Sequence, residues 1–352
     1  MKNRLTISCC ILLLTFSIAC RKEIKTLPET NREVNADPII PNPCLIGNCW
    51  TALTPFPYAD PYIFMESVFT INGITYLSYE RYDAAPDFMV AYDGTNWSQT
   101  TFPTTPQSES QLMFTIGNKG YSVFSNSTAS AALQEFDPST GIWTPKASHP
   151  GNGIIPLYGK KVFVIGTNAY VIHFNSDSDS LELWQYNQPA DSWTQKTNVP
   201  RPSGLMLPVD FAFALDGKGY VMFEVTQQQS LQLPPSVSLF YSYDIATNTW
   251  APKAAYPGDR LYDVTGFVIG NYAYVGTGKL AFSQTKQSSF NRYNATTNQW
   301  TSVAAYKGGP TSMAIGFSSG NYGYLLDYYN LTLLGGGKYF YRYKPSTGIL
   351  QN

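Results

Sequence analysis

The stretch YDIATNTWAPKAAYP, residues 243–257, holds an aromatic residue, a cluster of turn formers, a Trp and a short run that ends at Pro. Asp, Asn and Thr bond their own backbone in tight turns, so the stretch reads as a strand, a turn and a second strand. Pro carries no N–H for a ladder and is tolerated on edge strands, so the second strand reads as an outermost one. The frame recurs. YDGTNW (92–97), FDPSTGIW (136–143), YNQPADSW (186–193) and YNATTNQW (293–300) match its first half. WTALTPFP, WSQTTFP, WTPKASHP and WTQKTNVP match its second. Trp50, Trp97, Trp143, Trp193, Trp250 and Trp300 stand 46 to 57 residues apart. Because they recur in every unit, these Trp residues read as packing anchors and not as sugar platforms.

Between successive frames lie two more strands joined at Gly or Asn, as in FTINGITYLSY (69–79), FTIGNKGYSVF (114–124), FALDGKGYVMF (213–223), FVIGNYAYVG (267–276) and GFSSGNYGYLL (316–326). The third interval leaves two turns open, Gly159-Lys160-Lys161 or Gly166-Thr167-Asn168. Four short strands per unit of about 50 residues are the signature of propeller blades. Composition agrees, with 15% aromatic and only 13% charged residues and no long helical periodicity. The expected fold is all-β: a six-bladed β-propeller of four-stranded antiparallel blades over residues 44–352. The last unit holds YFYRYKPSTGILQN and no further Trp, while Trp50-Thr51-Ala52-Leu53-Thr54 is a fourth strand with no unit before it. The N-terminal strand is therefore expected to complete the last blade, antiparallel to residues 339–343, and so remove two open edges.

The aromatic-Asp/Asn…Trp frame with its following Pro, as in YDIATNTWAPKAAYP, resembles the Kelch repeats, including the central domain of galactose oxidase, over about residues 50–352. Kelch units usually carry a Gly-Gly pair after the second strand; here only variants such as Val275-Gly276-Thr277-Gly278 occur. A copper site of the galactose oxidase kind would need two His and tyrosines together. The two histidines here, His149 and His173, fall on different segments and are not expected to converge. No cofactor and no metal site is expected. Asn175-Ser176-Asp177-Ser178-Asp179 alternates oxygen ligands but lacks the Gly and the distal Glu of a calcium loop.

The N-terminus reads as an export signal. Lys2 and Arg4 precede the apolar run 5–19, too short for a membrane-spanning helix of roughly 20 residues. Ser17-Ile18-Ala19-Cys20 resembles a bacterial lipobox, with Ser17 where Leu is usual. That resemblance implies a signal peptide over 1–19 and a lipid on Cys20. Residues 20–43 are polar and Pro-rich, a flexible tether. The implied address is the bacterial cell envelope, lipid-anchored, at the outer membrane facing the periplasm or the cell surface. Cys44 and Cys49, in PCLIGNCW, are spaced to close a small disulfide loop in an oxidising compartment.

The balance of 23 basic and 24 acidic residues gives no reason to expect nucleic acid. In an antiparallel blade the second-to-third loops and the blade-to-blade links share one face. Here those loops are the long ones: YERYDAAPD (79–87) with Arg81, HFNSDSDS (173–180), EVTQQQSLQLPPS (224–236), GKLAFSQTKQ (278–287) and DYYNLTLLGGGK (327–338). Long loops on a rigid scaffold are the usual place for binding. Asp60, Arg81, Glu109, Asn152, Arg201, Asp259 and Arg260 are the candidate ligand contacts at this mouth. No catalytic set is recognisable, and P-loop, H-E-x-x-H and G-x-S-x-G patterns are absent. The expectation is a monomeric, non-enzymatic binding module for a glycan or a protein, with the membrane touched through the lipid alone. The alternative is an envelope sugar enzyme, since some Kelch-like propellers are sialic acid mutarotases. For it, Arg201, Arg260 and Glu109 would supply acid/base and carboxylate contacts. Carboxylates and Arg converging in the channel mouth would favour the enzyme; a broad aromatic or loop surface would favour binding.

Overall fold

The structure is a computed structural model, and it describes residues 44, 47–54, 56–57, 63–81, 88–100, 110–126, 129–150, 161–175, 177–234, 237–327 and 339–346. The expected signal peptide, tether and Cys20 lie outside these residues. Strand β1 (Cys49–Ala52) opens the fold. Blade 1 follows with β2 (Ile63–Ile71), β3 (Ile74–Arg81), β4 (Phe88–Tyr92) and β5 (Trp97–Thr100). Blade 2 is β6 (Ser110–Ile116), β7 (Lys119–Asn126), β8 (Ala129–Asp137) and β9 (Ile142–Lys146). Blade 3 is β10 (Val162–Ile165), β11 (Asn168–Asn175), β12 (Ser180–Asn187) and β13 (Ser192–Lys196). Blade 4 is β14 (Val209–Leu215), β15 (Lys218–Phe223), β16 (Phe240–Asp244) and β17 (Thr249–Pro252), with helix α1 (Gln227–Gln232) between its middle strands. Blade 5 carries a small extra pair, β18 (Leu261–Tyr262) with β21 (Lys279–Leu280), beside β19 (Thr265–Ile269), β20 (Tyr272–Gly276), β22 (Phe290–Asn294) and β23 (Gln299–Val303). Blade 6 is β24 (Ile315–Ser319), β25 (Tyr322–Leu326) and β26 (Phe340–Lys344), completed by β1.

All pairings are antiparallel, and the first strands touch in the order β2, β6, β10, β14, β19, β24 and back to β2. The chain is therefore a six-bladed β-propeller. Its axis holds a cavity of about 410 Å³ lined by all six first strands. The ring closes as the sequence suggests: Trp50 lies opposite Tyr343 and Thr51 opposite Arg342. Cys44 and Cys49 are placed as a disulfide that ends at the first residue of this strand, with Cα atoms 5.3 Å apart.

Two aromatic pairs hold each blade. Across the first hairpin a Phe stacks on a Tyr seven residues later: Phe69 on Tyr76, Phe114 on Tyr121, Phe163 on Tyr170, Phe213 on Tyr220, Phe267 on Tyr274 and Phe317 on Tyr324, centroids 5.0 to 5.5 Å apart. This frame settles the ambiguous third interval, whose turn is at Gly166-Thr167. Across the second hairpin each Trp faces an aromatic of the third strand, as Trp250 faces Tyr243 at 4.9 Å. Directly opposite residues on one face are the unit of sheet stabilisation, about 0.5–1.5 kcal/mol per aromatic pair beyond area burial.

The Trp also ties blade to blade. Trp50, Trp193, Trp250 and Trp300 donate from Nε1 to the carbonyls of Ala304, Ala147, Thr197 and Ala254 in the preceding blade, at 2.8 to 3.0 Å. The N–H groups of those same four residues donate to the side chains of Asn48, Asp191, Asn248 and Asn298, two positions before each Trp. These Asn and Asp residues have φ between 46 and 56°, a left-handed turn conformation that Asn and Asp tolerate best after Gly. A Tyr hydroxyl of the third strand, from Tyr343, Tyr186, Tyr243 or Tyr293, donates to the same oxygen. One polar side chain thus locks a turn, a strand and the neighbouring blade.

Candidate functional site

The long-loop face carries two features, a charged cluster and a cavity. The cluster spans blades 3 to 5. Lys161 precedes β10 and is 3% exposed; Asp210 in β14 is 5% exposed. Asp210 owes its position to a β-bulge: Val209 pairs with Phe223 and Phe211 with Met222, leaving Asp210 as the extra residue. A bulge re-aims one side chain out of the strand's alternation. Asp210 Oδ2 accepts the N–H of Val264 in blade 5 at 2.8 Å. Glu224 leaves the end of β15, its N–H donating to Pro208 O at 3.0 Å.

Burial pushes the Lys161 ammonium down, opposed by the charges of Asp210 and Glu224. Burial, then the Glu224 carboxylate, pushes Asp210 well above the usual carboxylate range. Burial also raises Glu224. The two carboxyls each make the other harder to ionise, while the Lys161 charge favours their ionised forms. Asp263, which repels both carboxylates, is itself paired to Lys279 Nζ at 3.0 Å.

The cavity, about 330 Å³, lies beside the cluster between blades 4 and 5. Its walls are mostly apolar, including Met222, Phe223, Leu233, Phe240 and Phe282, with Tyr256 among them. Burial pushes the Tyr256 phenol up to about 12; its hydroxyl donates to Val275 O at 3.3 Å and accepts from Asn291 Nδ2 at 2.9 Å. Two residues singled out in the sequence, Asp259 and Arg260, line this cavity. Asp259 is exposed at the rim. Arg260 donates to Ser230 O at 2.8 Å, Ser230 Oγ at 3.2 Å, Leu233 O at 3.3 Å and Pro234 O at 2.6 Å, so it braces the end of α1 over the cavity.

Arg201 is not brought to them. It pairs with Asp179 at 2.9 Å and donates to Asp179 O at 3.1 Å, tying the blade 3–4 link to the turn between β11 and β12. Arg81 ends β3, but its side chain, like Asp60, Glu109 and Asn152, lies outside the described residues. Three segments expected as long, irregular loops carry regular structure among the described residues: β11 runs to Asn175 and β12 starts at Ser180, α1 lies within 224–234, and β21 pairs with the incoming link. Helix α1 starts in a capping box, Thr226 Oγ1 accepting the N–H of Gln229 while Gln229 Oε1 accepts that of Thr226.

The histidines correct an expectation. His149 and His173 are both fully buried with ring centroids 5.2 Å apart. The cause is the link, which carries each blade's last residues onto the next blade. His149 packs on Trp193 as Phe56 packs on Trp97, Tyr256 on Trp300 and Tyr306 on Trp50. Glu182, opposite His173, has both oxygens engaged by Asn175 Nδ2 and Trp184 Nε1, each at 2.8 Å. Among the described residues no three His, Cys, Asp or Glu side chains group as a metal site.

No known protein family's profile matches the chain, and no curated protein matches it. Many solved structures do match, among them that of YjhT, 15% identical with a TM-score of 0.48 over 68% of this chain and 82% of that one. The propeller assignment rests on this chain's own strand pairing.

Proposed function

We propose that the chain is a Kelch-like, non-enzymatic binding module, held at a bacterial cell envelope by a lipid on Cys20, whose ligand seats on the long-loop face. The observation that carries this reading is the cavity between blades 4 and 5. It is open, apolar inside and polar at its rim, within the size range of ligand pockets. Of the two ligand classes, a protein fits better than a glycan. Sugar hydroxyls would each need a polar partner on desolvation, and these walls offer few. The test is a binding screen of the purified protein on glycan arrays and peptide libraries, repeated with Phe282→Ala. Ligands captured by the native chain should be lost by the variant while melting stays unchanged; full retention places the site elsewhere. The anchor is tested separately: Cys20→Ala should move the protein from membranes to the soluble fraction.

A second reading, an acid–base sugar enzyme resembling the Kelch-type sialic acid mutarotases, draws support from the cluster of Lys161, Asp210 and Glu224. Burial raises the Asp210 carboxyl, and a carboxyl that gives up its proton less readily than an exposed one is suited to donating it to a substrate oxygen. Sugar mutarotation followed by polarimetry should then fall at least about 100-fold in Asp210→Asn. An absence of catalysis by the native chain across neutral and acidic sugars removes this reading.

A further inference from the structure

We propose that the cavity between blades 4 and 5 selects a peptide segment in which a large apolar side chain is flanked by Lys or Arg. The inference rests on the reading of that cavity as the binding site and names what enters it.

Charge is the first argument. Asp259 and Arg260 are the charged residues on the cavity wall, and they are not equivalent. The Arg260 guanidinium is directed into three carbonyls and a hydroxyl at the end of α1, at 2.6 to 3.3 Å. With both Nη groups spent on the end of α1, a bidentate Nη1/Nη2 grip on an anionic ligand would require displacing those bonds. Asp259 is exposed at the rim, so the charge presented to an arriving ligand is negative. In the open this carboxylate attracts a cation only weakly, and more strongly once a bound side chain covers the apolar wall beside it.

Shape is the second. Phe282, on the wall, is 50% exposed. A surface Phe alone means nothing, but this one borders an apolar cavity. It would close over a side chain inserted from a peptide, as the rim of an interface excludes water from its anchor.

The test uses three capped pentapeptides with a central Trp, flanked on both sides by Lys, Gln or Glu, titrated calorimetrically into the full chain at low salt. The Lys peptide should bind about five-fold more tightly than the Gln peptide, and the Glu peptide most weakly. Asp259→Asn should bring the Lys peptide to the level of the Gln peptide and leave the latter unchanged. Salt at 0.5 M, roughly, should shrink the same preference. Phe282→Ala should weaken all three. Equal affinities, or an Asp259→Asn variant that keeps the preference, overturn the charge rule while leaving the cavity a binding site. Tryptamine binding as tightly as the Lys peptide would mean that a free amine suffices and would overturn the peptide. Failure of every Trp peptide, with a ligand found elsewhere, overturns both readings.

Discussion

His149 occupies the place that other blades give to Phe56, Tyr256 and Tyr306, an aromatic ring under the next blade's Trp. An imidazole there is an aromatic that can take a proton, and the site opposes the charge. Burial first, then the neighbouring His173, push His149 down to about 3 from the ordinary value near 6.5. In the unfolded chain the same group takes up its proton near pH 6.5. Between about pH 6.5 and 3 the unfolded state therefore binds more protons, and stability falls as pH falls through that window. Melting temperature should drop steadily from pH 7 to pH 4, and His149→Phe should flatten the slope because Phe carries no proton there. An unchanged slope in that variant would assign the acid sensitivity to the carboxylates. Residue identity alone could not reveal this pair, since the two histidines stand 24 positions apart on different blades' segments. The same limit hid Asp210. In the string VDFAFAL (209–215) it reads as a solvent-side residue of an alternating strand. Only a bulge, which has no reliable sequence mark, turns it toward Val264 and Glu224. The link residues Asp259 and Arg260 were legible because link positions follow from strand order.

Strands and hairpins were far more legible, because their chemistry repeats. Asn72-Gly73 and Asp216-Gly217, both with positive φ at each residue, are the two-residue turns their sequences announce. The unread signal was the Phe and Tyr seven apart in every blade; Phe163 and Tyr170 would have fixed the third hairpin without the Trp. Likewise Thr226 to Gln229 spells a capping box inside what looks like a polar loop. The same hairpins make a prediction about blade packing. Gly219 precedes Tyr220, and a Cβ placed there would lie 2.2 Å from Phe163 Cε2 of the preceding blade. Phe163 cannot swing away freely, since it stacks on Tyr170 at 5.0 Å and meets Tyr243 at 6.2 Å. Gly219→Ala should therefore cost about 1–3 kcal/mol, the usual range for an overpacked core. Phe163→Leu in the same chain should recover part of the loss, measured as coupling in a double-mutant cycle. A Cβ on Gly323 would press on the Phe267 ring in the same way, and that position should respond alike. Simple additivity of the two changes would mean that the small residue serves the turn and not the blade interface.

At the scale of the whole molecule, stability depends on a ring that must close. Five blades are continuous in sequence, while the sixth takes β24, β25 and β26 from one end of the ring and β1 from the other. Without β1, the outer edge of β26 would keep unpaired N–H and C=O groups, and Ala304, just after β23, would lose its bonds to Trp50 and Asn48. Trp50 carries much of the join. It is buried against Phe267, Phe290, Tyr306 and Tyr343 at 5.1 to 6.0 Å, and its Nε1 donates to Ala304 O at 3.0 Å. Asn48 adds the clamp, its Oδ1 accepting from Ala304 N–H at 2.8 Å and from Tyr343 hydroxyl at 2.9 Å. The contacts thus reach blade 5 as well as blade 6, so losing them loosens two interfaces together. Trp50→Ala should cost about 3–5 kcal/mol, as for a large aromatic removed from a core. Deleting residues 44–56 should lower the melting temperature of the entire propeller and broaden its transition, because the ends can then fray independently of the middle blades. Deleting residues 21–40 should leave melting unchanged. The comparison separates a closing strand from a passive leader: if the 44–56 deletion melts like the full chain, the join at Trp50 contributes nothing to the ring and the propeller is held by its inner strands alone.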